Sequence, residues 1–599
     1  MKGYASLADN NPSGKPDGSG GGAALLIAFL LLLATPLLYT LRHLDDNRLT
    51  SFQWAFSDGR FERTLLYIIA ATCAAYILSR SDTADRFPAL SLFALSFATA
   101  VSIFTMPEVI VDAGRYFEQA KYLKIHGLIN FIAEWGGQVR PWTDLPFVPF
   151  MFGEIFRLLG ETRISIQVFN ALAFSLTTVT TYLIGKQLWD RQTGFFAGLL
   201  LIGMPYLLTQ IPIMLIDIAT MTLVTLSVYF FIKVNKCGGA GWTLIACVTI
   251  IFTLLAKYST WPMLLILPLI TFVFYTGGVK SSIRYSAVVL ALTCLMVAPF
   301  LFYKGNIIKE QLDLLLTYQL EGLGRWRESF TSTFLFQTSP FITLFALTGV
   351  LTSIKRRDLK FVIPCFFLFF TLTLQVGRIR YLVPLLPMFA IMASYGFLPL
   401  VQGRRARRFA VYGVVGLSVA HLYGGFYPFL KSTSMVNLQM AGKFINSLNC
   451  PEIGVYTLAQ KDSTGNTEIA VPILDIYTDK KLIALNERHP GDKKDAIEKS
   501  PLRFTWDAGL PEFYMRARAS RINIALIISS EPISGAPEFL PESVDAGQRI
   551  KEFAASSGLF KYRTLVTIVG KDCHNAAING GNQLKAAQTA IKTFNTRYD

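Results

Sequence analysis

Asp112, Asp217, Lys257, Arg378 and Arg380 stand at the edges of long apolar runs, where a charge is costly and calls for a reason. Asp112 closes the stretch MPEVIVD and opens a helical pattern holding Arg115, Tyr116, Glu118 and Lys121. A carboxylate there could take the proton of an incoming hydroxyl, or help to hold a divalent cation. It could equally be a solvated carboxylate capping the helix that starts beside it. Asp217, in GMPYLLTQIPIMLIDIATMTL, is the only charge across about 25 residues of a segment broken by Pro205 and Pro212. The plainer alternative for it is a helix-end residue close enough to the interface to stay hydrated.

The three cations differ from the other basic residues in where they fall. Lys257, in TLLAKYSTWP, and Arg378 and Arg380, in QVGRIRYLVPLLPMF, lie at ends of apolar runs where the positive-inside rule does not ask for a charge. Cations at that level suit a phosphate whose lipid tail stays in the bilayer, because Arg can pair with two phosphate oxygens at once. Snorkelling to lipid headgroups accounts for one such residue. Three on one face weaken that account.

Only membrane helices can position these residues. Of 599 residues, 52% are hydrophobic and 16% charged, and mean hydropathy is +0.42. Soluble domains carry about 25% charged residues, so a string of water-facing domains, a disordered protein and a secreted disulfide scaffold are all excluded. A spanning helix needs about 20 apolar residues. Candidate spans are 23–42, 64–80, 88–106, 164–185, 194–211, 215–232, 241–257, 260–277, 284–303, 336–353, 361–377, 380–401 and 409–428. The expected fold class is a multi-pass α-helical membrane protein of about 13 transmembrane helices with a C-terminal extracytoplasmic α/β domain.

Charge sets the orientation. The net charge of +16 falls in short clusters between apolar runs, which argues against nucleic-acid binding. With a cytoplasmic N-terminus, the inside loops hold Arg80/Arg86, Lys186/Arg191, Lys233/Lys236, Lys280/Arg284, Lys355/Arg356/Arg357/Lys360 and Arg404/Arg405/Arg407/Arg408. Every one of those loops is basic. Residues 1–22, polar and rich in Gly and Ser, read as a disordered cytoplasmic tail, and residues 23–428 as the transmembrane domain. The first apolar run has no convincing small-residue cleavage site and reads as an uncleaved helix. Three long segments then face outward: 43–63, 107–163 and 429–599. Within the second, FVPFMFGEIFRLLG (147–160) interleaves apolar residues with Glu154 and Arg157, as a helix lying in the interface would.

From 429 the chain becomes polar and reads as the extracytoplasmic α/β domain, followed by a polar tail. EIGVYTL (452–458), INIALIIS (522–529) and RTLVTIVG (563–570) read as buried strands, separated by helical patterns such as AGQRIKEFAASSG. Cys450 and Cys573 both lie in this region, and a disulfide and two free thiols are both open. The other cysteines lack CxxC spacing, and the five histidines are scattered, so no zinc or haem site can be read.

The order of VDAGRYFEQAKYL, LPFVPFMFGEIFRLLG, the long run RISIQVFN…GMPYLLTQ with Asp217 after it, LLAKYST and RIRYLVPLLPMFA resembles the GT-C glycosyltransferases. The branch it resembles contains the dolichyl-phosphate-mannose protein mannosyltransferases and the aminoarabinose transferase of lipid A, and the resemblance covers about residues 88–400. It implies a polyprenyl-phosphate sugar donor, a lipid, glycan or protein acceptor, and a site facing away from the cytoplasm, here of a bacterial inner (plasma) membrane. It also implies catalytic duty for Asp112 and Asp217, and donor-phosphate binding for Lys257, Arg378, Arg380 and Tyr381. Many relatives carry an Asp-Glu pair in the first outward loop, whereas here Ala113 follows Asp112. A single base then fits better than a two-carboxylate metal site, though a divalent cation stays open as cofactor. Physically, a base facing the anomeric carbon opposite the departing phosphate would give inversion, with the 147–160 helix as part of a lid. A lipid or solute transporter is the alternative, disfavoured by the absence of an internal repeat. An anchoring role needs far fewer spans.

Overall fold

The computed structural model describes residues 20–57, 60–142, 144–319, 328–458, 465–486, 497, 500, 502–515, 522–533, 549–555 and 562–570. Nearly all of the expected N-terminal tail, and the C-terminal tail with Cys573, lie outside those residues. Cys450 is buried and disulfide-bonded, while Cys73, Cys237, Cys247, Cys294 and Cys365 are free thiols.

The apolar runs fold as helices because a backbone in hydrocarbon must satisfy its own N–H and C=O groups. Among the described residues, seven helices are long and apolar enough to cross a membrane: Gly21–Thr40, Arg60–Leu78, Arg163–Leu188, Asp217–Cys237, Ser282–Tyr303, Ile379–Phe397 and Arg404–Leu430. Shorter apolar helices follow at Pro88–Val101, Ala240–Leu254, Thr260–Thr276 and Leu359–Thr373. Helices Arg191–Ile202 and Pro340–Arg356 occupy two further expected spans. The chain is an integral membrane protein.

Burial separates the helices into two sets. Only 17% of the apolar window in Ser282–Tyr303 is buried, against 94% in Ile379–Phe397 and 78% in Asp217–Cys237. The first kind turns its Leu, Met and Phe side chains outward, as lipid requires. The second kind forms the interior, and it carries Arg380 and Asp217. Close approach in the interior depends on small residues. A Cβ on Gly396 would lie 2.1 Å from the backbone N of Gly349, so helices Pro340–Arg356 and Leu386–Phe397 can meet only with glycine there.

The expected span 194–211 is broken in the structure. Helix Arg191–Ile202 stops at Gly203, Pro205–Gln210 forms a short helix, and residues 211–216 run unwound to Asp217. Such backbone survives at membrane depth only where neighbours satisfy it. Asn170 donates to the carbonyls of Ile211 and Ile213, Gln167 and Arg163 donate to Pro212, and the Met214 N–H donates to Glu108.

The C-terminal region carries a five-stranded mixed sheet in the order β2-β1-β3-β5-β4, from β1 (Glu452–Thr457), β2 (Lys481–Ala484), β3 (Ile524–Ser529), β4 (Arg549–Phe553) and β5 (Leu565–Gly570). β1 pairs in parallel with β2 and β3, while β5 pairs antiparallel with β3 and β4. β3 and β5 are buried along their whole length, which explains their unbroken apolar runs. One expectation is corrected: in AGQRIKEFAASSG, residues 549–553 form strand β4, not a helix. Ile550, Phe553 and Ala554 share a helical face, but the open edge of β5 captures the segment as an edge strand. Its exposed Arg549, Lys551 and Glu552 suit that position.

The sheet domain rests on the helix Asp112–Glu134. Val111 belongs to the same apolar cluster as Leu438, Ile473 and Leu526. Lys121 pairs with Asp475 at 2.5 Å and with Glu161 at 2.9 Å, and Tyr514 donates to Asp475 at 2.6 Å. Residues 304–319 also reach this end of the bundle, where Lys304 donates to the Ala133 carbonyl at 2.7 Å.

Candidate active site

Asp112 and Asp217 each open a helix, Asp112–Glu134 and Asp217–Cys237, so each carboxylate sits at the positive end of a helix dipole. Arg380 lies in the first turn of the interior helix beginning at Ile379 and joins the two. Its Nη1 is 2.5 Å from Asp112 Oδ2, and its Nε is 3.0 Å from Asp217 Oδ2. Lys257, three residues past the end of Ala240–Leu254, donates to Asp217 Oδ1 at 2.8 Å. Its backbone is fixed by a bridge to Asp144, with the Phe147 N–H donating to the Leu255 carbonyl nearby.

A chain of alternating charge therefore runs Lys257–Asp217–Arg380–Asp112–Arg115–Asp144. Arg115 Nη2 is 4.0 Å from Asp112 and 2.5 Å from Asp144, which also accepts a hydrogen bond from Tyr116. Asp217 is wholly buried, and Lys257 and Arg380 are nearly so. Taking one such charge from water alone would cost several kcal/mol; alternation offsets it. Burial pushes the Asp112 carboxyl up, but Arg380 and Arg115 outweigh it and hold it below the usual carboxylate range. Asp112 is thus an ionised carboxylate at neutral pH.

Tyr381 is flanked by cations. Lys257 Nζ is 5.6 Å from its ring centroid and the Arg378 guanidinium 5.7 Å. Arg378 is the more open cation, with its side chain 21% exposed and Glu328 at 3.9 Å. The structure thus brings together all six sequence candidates: Asp112, Asp217, Lys257, Arg378, Arg380 and Tyr381.

Other residues carried no readable signal. Glu328, in a segment not marked as long and outward, accepts from Asn47 and from the Ile379 N–H beside Arg380. Burial pushes its carboxyl up to about 7, with Arg378 opposing. Asp45, raised to about 6 by burial, accepts from Ser332, the Phe52 N–H and Gln337. Asp144 precedes the amphipathic helix and looks in sequence like one more loop acid. Glu108, fully buried, holds Arg163 at 2.8 Å and so fixes the unwound stretch before Asp217. An acid four residues before Asp112 in the same outward stretch was the only available hint.

A divalent cation fits this donor set poorly. The three carboxylates of the cluster, Asp112, Asp217 and Asp144, already neutralise Arg380, Lys257 and Arg115. Among the described residues no group of three or more His, Cys, Asp and Glu side chains is arranged to hold a metal.

Residues 140–303 match the family described as dolichyl-phosphate-mannose-protein mannosyltransferase. Among solved structures, the chain is similar to ArnT from Cupriavidus metallidurans bound to undecaprenyl phosphate, at 12% identity and a TM-score of 0.53, covering 80% of this chain and 97% of that one. The same protein in the apo state gives 13% identity, a TM-score of 0.52 and the same coverage. Among curated proteins, none matches the chain in sequence. The chain is thus similar to dolichyl-phosphate-mannose-protein mannosyltransferases in sequence over 140–303, and to ArnT, a GT-C glycosyltransferase, in fold through most of its length.

Proposed function

We propose that the protein is a membrane glycosyltransferase that moves a sugar from a polyprenyl-phosphate donor to an acceptor hydroxyl, with inversion. The observation that carries this reading is Arg380 bound to both Asp112 and Asp217, which joins a loop carboxylate to a cation cluster at one end of the helical bundle. A sugar on a lipid phosphate cannot leave the bilayer, so its site must lie at the membrane surface beside the spans.

In this scheme Asp112 takes the proton of the acceptor hydroxyl as its oxygen bonds to the anomeric carbon. The bond from that carbon to the phosphate oxygen breaks, and polyprenyl phosphate departs with the electron pair. Lys257, Arg378 and Arg380 stabilise its charge, and Tyr381 keeps Lys257 and Arg378 beside one ring. Asp217 keeps Lys257 and Arg380 in place, a positioning duty, since its own oxygens are taken by those cations. No step needs a metal. The site end is the extracytoplasmic face, with residues 1–22 as cytoplasmic tail, 23–428 as transmembrane domain and 429–599 as extracytoplasmic domain and tail. The membrane is the bacterial inner membrane, and the likeness in fold to ArnT from Cupriavidus metallidurans with its bound undecaprenyl phosphate supports that assignment.

Native mass spectrometry of the protein with added undecaprenyl phosphate tests the donor side. Saturable binding that Arg378→Glu weakens by about tenfold or more is expected, from the loss of one charge-assisted contact and its reversal. Background binding alone by the unaltered protein overturns the reading.

A further inference from the structure

Glu108 and Arg163 form a buried ion pair that takes no part in the transfer scheme above. Glu108 stands four residues before Asp112 and has no exposed surface. Its Oε1 accepts from Arg163 Nε at 2.8 Å. Its Oε2 accepts at 3.0 Å from the N–H of Met214, which stands three residues before Asp217. One carboxylate therefore touches the approach to both site acids.

The neighbouring donors serve the same two stretches. Arg163 gives its other two nitrogens to the carbonyls of Phe104 and Pro212, each at 3.0 Å. Gln167 donates to the same two carbonyls at 2.8 and 2.9 Å. Asn170 donates to the carbonyls of Ile211 at 3.2 Å and Ile213 at 3.0 Å. Positions 163, 167 and 170 follow i, i+4, i+7 spacing, so one face of helix Arg163–Leu188 holds the unwound segment. The sheet domain joins in through Tyr477. Its hydroxyl accepts from the Glu108 N–H, and its ring lies 5.4 Å from the Arg163 guanidinium.

Packing alone does not ask for this arrangement. An unbroken helix through 211–216 would satisfy its own backbone without any buried charge. A buried ion pair adds little stability over well-packed apolar residues. Unwinding instead provides a second helix start, at Asp217, and Glu108 fixes its offset from the start at Asp112. That offset matters because Arg380 reaches both carboxylates, at 2.5 and 3.0 Å. Misplacement by about 1 Å can cost about a hundredfold in rate at a reacting site.

We propose that Glu108 is a positioning residue of the transfer site: held by Arg163, it fixes the start of the Asp217 helix against the loop that carries Asp112, and so sets Lys257 and Arg380 for the donor phosphate. This rests on the transfer reading above. Glu108→Gln keeps the size of the side chain but leaves it one acceptor oxygen for two donors, and Arg163 loses its counter-charge. The unwound stretch is then released, and Asp217 no longer holds Lys257 and Arg380 in register.

The test uses the full chain in nanodiscs and two lipids, undecaprenyl phosphate and undecaprenol, which differ only in the phosphate. Native mass spectrometry follows the binding of each. The unaltered protein is expected to prefer the phosphate. Glu108→Gln is expected to weaken undecaprenyl phosphate binding by about tenfold, the worth of one misplaced charge-assisted contact, and to leave undecaprenol binding unchanged. Gln167→Met removes uncharged donors to carbonyls that Arg163 still holds, and should weaken phosphate binding by about threefold. Undecaprenyl phosphate binding at the unaltered strength in both variants overturns the proposal and leaves the donor site standing. Equal loss of both lipids also overturns it, because general disruption, unlike displaced cations, does not distinguish the headgroups. Where Glu108→Gln yields no folded protein, Gln167→Met decides by the same criteria. If the unaltered protein binds the two lipids alike, the transfer reading itself falls and the proposal falls with it.

Discussion

The two ends of the helical bundle carry charge in opposite ways. At one end Arg408 pairs with Asp82 and Asp85, Arg191 donates to the carbonyls of Asp85 and Arg86, and Lys360 donates to the Leu188 carbonyl. These basic residues tie down loop carbonyls, and the acids they meet are open to solvent, with the Asp82 side chain 57% exposed. At the other end six charges alternate in a buried line, and the Asp217 side chain is 1% exposed. The first arrangement is what membrane topology alone asks of loops. The second is costly to build and is stable only as a set. Buried alternating charge without a topological need is the feature on which the proposed transfer site rests.

The sharpest way to break this contrast is to neutralise one member of the buried line without changing its shape. Asp112→Asn should lower sugar transfer from a polyprenyl-phosphate donor by about 10²–10⁴-fold, the range for a lost general base, and should also lower the melting temperature, because Arg380 and Arg115 lose a counter-charge. Transfer at the unaltered rate would remove Asp112 from the reaction. Truncation tests the stability side. Arg380→Ala leaves two carboxylates facing one another and should cost about 3–5 kcal/mol, seen as a large drop in thermal unfolding temperature in detergent. The matching Arg408→Ala change at the basic end is the control.

A third test uses pH. Glu328 titrates at about 7 in the folded chain against 4.5 ordinarily, chiefly through burial. Its raised value means that the folded chain keeps the proton longer than the unfolded one. The stabilisation is complete below about pH 4.5 and is lost as pH rises through 7, up to about 3 kcal/mol. Thermal stability should therefore fall between pH 5 and 8, and Glu328→Gln should flatten part of that slope. Asp45, raised to about 6, and other buried acids such as Glu118 and Asp475, raised by burial, contribute to the rest. A slope unchanged by Glu328→Gln would assign it elsewhere. The smallest effect belongs to Arg408→Ala, about 1 kcal/mol or less, because its acidic partners remain hydrated when it is gone. If Arg408→Ala destabilised as much as Arg380→Ala, the two ends would not differ in kind.

Much of the bundle was legible because hydrocarbon imposes its own grammar. Apolar runs of crossing length and basic loops announce helices and their alternation, whatever the helices pack against. The site was legible to the extent that a charge next to an apolar run is anomalous, which singled out Asp112, Asp217, Lys257, Arg378 and Arg380. Asp144, Glu328, Asp45 and Glu108 gave no such signal. They sit in polar or mixed stretches where an acid is unremarkable, and their burial comes from segments far away in sequence, as when Asn47 meets Glu328. The segment 549–553 failed for a related reason: its side-chain pattern suits a helix, and only the free edge of β5 makes it a strand.

Sequence by itself determined that this chain enters the membrane and which charges are out of place there, because both follow from local transfer free energy. Which charge meets which was decided only by tertiary structure. The pairing of Asp112 with Arg380 spans 268 positions, and it exists because two helix starts and one interior helix converge on the same few ångströms. The alignment at Glu108 is likewise a product of assembly, since Arg163, Met214 and Tyr477 reach it from a helix, an unwound stretch and the sheet domain, which no local pattern brings together.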